Sequence, residues 1–175
     1  MISFQILNKE HVNQIDEIDR SEYIDLIYEM KNGQLIEIEQ DHECENWDQE
    51  VLEEIKNRFF FEVQQGGYAV GAFSGGKLVG FGVLAHKFRG ENMDRLQVDL
   101  MYVSRGYRRQ GIGRRIMNEL SEEARRRGAK YLYISSTETR SAVSFYRSQG
   151  CRITEEIDQE LFEKEPKDIH MIKEL

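Results

Sequence analysis

Apolar residues recur at two spacings along this chain, and each change of spacing marks a new element. Alternating or continuous apolar runs predict strands at Ile2–Leu7, Tyr68–Ser74, Lys77–Phe88, Leu96–Val103, Lys130–Ser136, Cys151–Glu156 and Ile169–Leu175. Spacings of three and four predict helices. Val12, Ile15 and Ile18 mark a short one, and Val51, Leu52, Ile55, Phe59 and Val63 a longer one ended by Gly66-Gly67. Ile112, Ile116, Leu120 and Ala124 line one face of a third, and Ser141–Gln149 is a fourth, closed by Gly150. Gly75-Gly76 predicts a tight hairpin. Asn32-Gly33, between Tyr23–Met30 and Leu35–Glu39, predicts another, with a helix over Glu22–Lys31 as the open alternative. Asp41–Asn46, Arg89–Asp94 and the surroundings of the single proline, Pro166, read as polar loops.

This order predicts a mixed α/β sheet in one domain, residues 1–175. The sheet is mostly antiparallel, with one parallel strand–helix–strand crossover from Leu96–Val103 to Lys130–Ser136. Arg108-Arg109-Gln110-Gly111-Ile112-Gly113 falls at the carboxyl end of the first crossover strand, where open sheets place ligands. A helix start offers unpaired N–H groups and about half a positive charge. Glycines admit a ligand to that backbone, and Arg108, Arg109 and Arg114 add full charges, so the segment suits a diphosphate. The plainer reading is a helix start whose glycines only turn the chain. A P-loop is excluded because Arg114-Arg115, not Lys-Ser/Thr, follows the glycines. A dinucleotide fingerprint is excluded because no third glycine stands at the required place.

Charge sharpens this picture. Ser104–Lys130 holds eight arginines and one lysine against three glutamates, a local +6 that leaves −14 for the remainder of a chain of net −8. So acidic a remainder argues against nucleic acid, whose binding rests on phosphate contacts, and for a small phosphorylated ligand. Arg125, Arg126 and Arg127 read as a solvated helix end. No apolar run reaches membrane-spanning length, and the N-terminus lacks the pattern of a signal peptide. Two distant cysteines and four scattered histidines show no metal-ligand spacing. The expectation is a cytoplasmic protein without a metal or membrane partner, monomeric or homodimeric.

Downstream of the second crossover strand stand Ala142, Phe145-Tyr146 and Gly150. Together with Arg108–Gly113 and the strand end Met101-Tyr102-Val103, they resemble the motifs of the GCN5-related N-acetyltransferase (GNAT) superfamily. The agreement spans roughly Leu96–Ile153. Thr139 stands where that motif usually opens with Asn, Cys151 where Phe is usual, and Ser104 where Pro is frequent.

The resemblance implies an acyl-CoA N-acyltransferase fold, acetyl-CoA as co-substrate and a primary amine as acceptor. It also implies pantetheine pairing along Met101, Tyr102 and Val103, and diphosphate binding by Arg108, Arg109, Gln110, Gly111, Ile112, Gly113 and Arg114. Thr139 or Ser141, at the start of the Ala142 helix, would supply a cofactor-binding hydroxyl. Tyr146 would protonate the departing thiolate, although as Phe145's neighbour it also reads as a core aromatic, since the two cannot share one helix face.

An amine of pKa about 10.4 costs about 4.6 kcal/mol to deprotonate at pH 7. A carboxylate base is therefore wanted. Asp99, on the strand that approaches the cofactor, is the first candidate, followed by Glu39, Asp41, Glu43 and Glu45. The acidic stretch Glu37–Asp48 favours a small cationic acceptor, and Asp168 and His170 are expected near the acceptor end of the sheet. A CoA-binding module without turnover is the competing class, and a nucleic-acid binder a weaker third.

Overall fold

Why the chain folds around one sheet follows from where its apolar side chains go. The computed structural model describes all residues, Met1–Leu175. In chain order, β1 (Ile2–Leu7) leads through a 3-10 helix (Lys9–Glu17) to β2 (Glu22–Lys31), β3 (Gln34–Cys44) and α1 (Gln49–Gln64). β4 (Tyr68–Ser74), β5 (Lys77–Arg89), β6 (Arg95–Val103), α2 (Ile112–Arg126) and β7 (Tyr131–Ser136) follow. The chain ends with α3 (Arg140–Ser148), β8 (Arg152–Ile153), α4 (Gln159–Lys164) and β9 (Ile169–Glu174). Seven strands lie in the order β1-β4-β5-β6-β7-β9-β8, while β2 and β3 form a separate hairpin. Within the sheet only the β6–β7 pair is parallel.

Two apolar layers cover the sheet. On one face α2 sends in Ile112, Ile116, Met117, Leu120 and Ala124, joined by Val143 and Tyr146 of α3. On the other, Ile15 and Ile18 pack with Ile55 and Phe59 of α1 against Phe81, Val83 and Leu100. The four-residue spacing read along α2 is thus its buried stripe. α2 lies very close to β5: a Cβ on Gly82 would stand 2.6 Å from the Ile116 Cγ2.

Three expectations change. Residues 22–31 are a strand, so the helical alternative falls, because Asn32 and Gly33 both take positive φ and turn the chain straight into β3. The acidic loop expected over Asp41–Asn46 is extended as far as Cys44. Its backbone is held by the register Glu22↔Cys44, Tyr23↔Glu43 and Ile24↔His42, and its carboxylates stay in solvent. The strand expected over Cys151–Glu156 shrinks to Arg152–Ile153, and the polar stretch after it contains α4, capped by Asp158 with Leu161 as its one buried residue. One buried residue in six gives no periodic signal. No helix is long and apolar enough to cross a membrane.

Replacing Gly82 by Val should lift α2 off the sheet and destabilise the fold by about 1–3 kcal/mol in urea unfolding. An unchanged midpoint would show that α2 is not seated as described.

Candidate active site

The site begins where two neighbouring strands part. The β6–β7 ladder runs from Arg95↔Tyr131 to Val98↔Ile134 and stops, yet β6 continues to Val103 and β7 to Ser136. Along β5 the register steps from Val83↔Leu100 to Leu84↔Val98, so Asp99 is an extra residue in β6. A bulge of this kind bends its strand and sharpens the local twist. Arg58 of α1 holds it: one Nη2 donates to the Asp99 carbonyl at 2.9 Å and to its carboxylate at 3.0 Å. β7 meanwhile pairs on its other side with β9, Ser135 opposite His170.

The gap between the strands is a cavity of about 840 Å³. Val98–Val103 line one wall and Ser135–Thr137 with the first turns of α3 the other. β2 roofs it, because Ile27 bridges to Thr139 and the Tyr28 N–H donates to the Glu138 carbonyl at 2.8 Å. The Ser104 N–H donates to the Val79 carbonyl at 2.8 Å. By strand alternation the backbone groups of Tyr102 and Leu100 also face β5, and those of Met101 and Val103 face the gap. Tyr102 turns its ring to the opposite face, edge-on to Trp47 at 4.8 Å.

Past Ser104 the chain makes a short 3-10 turn, Arg105–Tyr107, and reaches Gly111, which caps α2 at φ 83°. Side chains of Asp48, Thr139 and Asp158 cap α1, α3 and α4, but none caps α2. The N–H groups of Ile112, Gly113 and Arg114 therefore lack helical partners at the cavity wall. Gly113 also makes room for Phe145, whose ring would lie 2.9 Å from a Cβ there.

Arg108 requires a correction, since it is not a free charge. Its Nε donates to the Val103 carbonyl and its Nη1 to the Ser21 carbonyl, both at 2.9 Å, and Glu22 lies 3.8 Å from Nη1. The guanidinium ties the loop to the segment entering β2. Arg109 and Arg114 are exposed at the cavity, and no carboxylate pairs with either. Gln110 reaches back to the Gly106 carbonyl at 3.4 Å.

On α3, the Thr139 hydroxyl caps the helix at Ala142 N, 3.3 Å away, and Ser141 donates to Glu22 at 2.8 Å. Both hydroxyls thus already have protein partners. Tyr146 is 8% exposed and borders the cavity. Burial pushes its phenol above the ordinary range, with Tyr102, Cys151 and Asp168 adding to the shift, and no protein group bonds its hydroxyl. Phe145 borders the same cavity, 5.2 Å from Tyr146 between ring centroids. The two rings therefore do not take opposite faces, as adjacency implied. They are tilted 66° apart, Phe145 against Gly113 and Tyr146 toward the core.

Among the expected carboxylates only Asp99 reaches the cavity, and there it is paired with Arg58. Glu39, Asp41, Glu43 and Glu45 lie outside it; Asp41 accepts from the Tyr23 hydroxyl at 2.8 Å, and Glu43 pairs with Arg105. The acidic stretch therefore does not face an acceptor bound in the gap. Asp168 and His170 separate. His170 is buried with Nδ1 2.6 Å from the Tyr133 hydroxyl, whereas Asp168 accepts from Ser135 Oγ at 2.8 Å. Burial pushes the Asp168 carboxyl up to about 7, with Glu165 and Glu138 adding to the rise and the Ser135 bond and Arg58 opposing it. Sequence reasoning missed Ser135 and Arg58. Ser135 is an ordinary strand residue, and Arg58 sits among the charges of a helix; only the broken β6–β7 ladder gives either a role.

The chain matches the sequence model of the acetyltransferase (GNAT) family over residues 27–151. Among curated proteins none matches it in sequence. The solved structure of nourseothricin acetyltransferase superposes with a TM-score of 0.74 at 22% identity, over 99% of this chain and 98% of that one. A structure from Bacillus anthracis str. Ames named for streptothricin acetyltransferase, with acetyl coenzyme A bound, gives 0.73 at 14% identity over 100% and 99%. The ribosomal-protein-S18-alanine N-acetyltransferase of Escherichia coli gives 0.62 at 15% identity over 99% and 94%. At these identities the likeness is one of fold.

The raised Asp168 carboxyl has a consequence for stability. Its folded value of about 7 exceeds an unfolded value of about 3.9, so folding favours the protonated form. The stabilisation is complete below the unfolded value and is lost as pH rises through the folded one. Asp168→Asn, uncharged and still able to accept from Ser135, should equal the parent near pH 4 and exceed it at about pH 8 by on the order of 1–3 kcal/mol. Urea unfolding at both pH values checks this, and equal stabilities at the higher pH would contradict it.

Proposed function

This chain belongs to the acetyltransferase (GNAT) family and is an acyltransferase; we propose that it moves the acetyl group of acetyl coenzyme A to a primary amine of a small molecule or protein. One observation carries the reading: an unpaired strand edge, an uncapped helix start and a phenol without a protein partner surround a single cavity.

Each piece has a task in the reaction. The gap-facing groups of Met101 and Val103 take the pantetheine amides as an added strand would. Because Arg108 already holds the Val103 carbonyl, Met101 offers the complete donor–acceptor pair. The free N–H groups of Ile112, Gly113 and Arg114, with the side chains of Arg109 and Arg114, hold the diphosphate. Arg108 keeps that loop closed against Ser21. Thr139, Ser141 and Ala142 shape the opposite wall, and Gln110 steadies the loop.

Chemistry follows at the apex of the gap. The amine lone pair attacks the thioester carbonyl carbon, whose developing oxyanion takes a gap-facing β6 N–H. The C–S bond breaks as Tyr146 delivers its proton to the sulfur. A phenol near 10 giving up a proton to a thiolate near 8.5 is uphill by roughly 2 kcal/mol before burial is counted, so the transfer is concerted with bond cleavage. Burial also keeps the phenol loaded with its proton at neutral pH.

The test is thiol release from acetyl-CoA, read with a thiol-reactive dye. The panel comprises nourseothricin, a polyamine, an aminoglycoside, free amino acids and a peptide with a free N-terminus. At least one amine should release thiol stoichiometrically with its acetylation, and silence across the panel with acetyl-CoA bound would overturn the reading. Tyr146→Phe should lower kcat by roughly 10²- to 10⁴-fold without changing the acetyl-CoA Kd; unchanged turnover would return Tyr146 to packing. Gly111→Val, strained at a positive φ, should abolish acetyl-CoA binding by calorimetry while the fold persists.

A further inference from the structure

An amine that attacks at the apex must lose a proton, and the obvious carboxylates are engaged. Asp99 is held by Arg58 at 3.0 Å, Glu22 accepts from Ser141 and faces Arg108, and Asp25 lies 3.7 Å from Arg140. Ser135 is differently placed. It is the first β7 residue beyond the last β6–β7 pair, so it stands where the strands part, and it lines the cavity. Its Oγ donates to Asp168 Oδ2 at 2.8 Å. Asp168 is not a lining residue of the cavity and meets it through that hydroxyl. Its charge adds to the upward shift that burial gives the Tyr102 and Tyr146 phenols.

We propose that Ser135 and Asp168 form a proton relay for the acceptor amine, Ser135 touching the nitrogen and Asp168 acting through it. The proposal rests on the acetyl-transfer reading and names the proton's route within it. As the N–C bond forms, the nitrogen becomes cationic. It passes one proton to Ser135 Oγ while that hydroxyl passes its own to the Asp168 carboxylate. The adduct then collapses, the C–S bond breaks, and Tyr146 protonates the sulfur. One proton leaves the amine and one reaches the thiolate, so no other reactant is needed. Solvent resets both groups.

Environment fits Asp168 to this task. A carboxylate in the ordinary range is a weak base toward an ammonium, but burial brings this one to about 7, near working pH. Glu138 after β7 and Glu165 after α4 raise it further, and Arg58 of α1 opposes them. Burial holds the phenols of Tyr102 of β6 and Tyr146 of α3 above the ordinary range, so their protonation does not change across the working range.

The experiment compares the parent protein with Asp168→Asn and Ser135→Ala, using the panel amine that releases thiol fastest. Values of kcat/KM for that amine are measured from about pH 5.5 to 9, and the parent-to-variant ratio cancels the amine's own titration. For Asp168→Asn the ratio should rise about tenfold per pH unit below about 7 and level off near 10²-fold. Ser135→Ala should lose a similar factor with an unchanged acetyl-CoA Kd. A ratio flat with pH, or a loss below about threefold, would overturn the relay while leaving parent turnover intact. A parent that releases no thiol defeats the acetyl-transfer reading instead. A ¹³C NMR titration of aspartate carboxyls in the unliganded protein decides independently of turnover. One resonance should titrate near 7 and vanish in Asp168→Asn, and if every aspartate titrates in the ordinary range the relay is overturned.

Discussion

One extra residue in β6 sets up the rest of this molecule. Asp99 bulges from β6 directly after the last β6–β7 pair, Val98↔Ile134. There the strands separate, and main-chain groups of both face a cavity. The bulge takes the Asp99 carbonyl out of the ladder, which is costly for a half-buried polar group unless it is satisfied. Arg58 meets that cost by bonding both the carbonyl and the carboxylate of Asp99. An arginine of α1 thereby braces the strand that lines the cavity, and the Asp99 carboxylate is spent on structure.

The same economy governs the arginine-rich segment. Its charges divide by task. Arg105 and Arg108 fasten the loop to Glu43, Ser21 and Val103, and Arg125, Arg126 and Arg127 pair with glutamates of α2. Arg109 and Arg114 stay unpaired beside the uncapped start of α2. Two arginines hold the loop, four are paired along α2, and only Arg109 and Arg114, together with backbone dipoles, are left to meet a ligand.

Elements with strong local signals were legible in the chain: the α2 stripe, the Gly75-Gly76 hairpin, and the crossover that puts Arg108–Gly113 at a strand end. The resemblance over Leu96–Ile153 rests on backbone-shaping residues such as Gly111 and Gly113, which mark a motif because little else fits there. What stayed hidden depends on pairing between distant segments. Residues 41–44 are too acidic to look like a strand, and extend only because β2 supplies partners. Asp99 looked like a base because its strand was visible while Arg58, 41 residues away in sequence, was not. The sequence places Asp168 near the acceptor end of the sheet, but its raised carboxyl comes from burial, and its bond to Ser135 comes from folding, neither of which has a sequence signature.

The central claim is that main-chain amides around the β6–β7 gap hold the acyl carrier. Titrating ¹⁵N-labelled protein with coenzyme A, and following every amide by NMR, tests it most directly. The account predicts that the largest shifts fall on Met101 and Val103 and on Ile112, Gly113 and Arg114, with the amides of β1 and β4 unmoved. Saturable binding that leaves those five amides in place would contradict it.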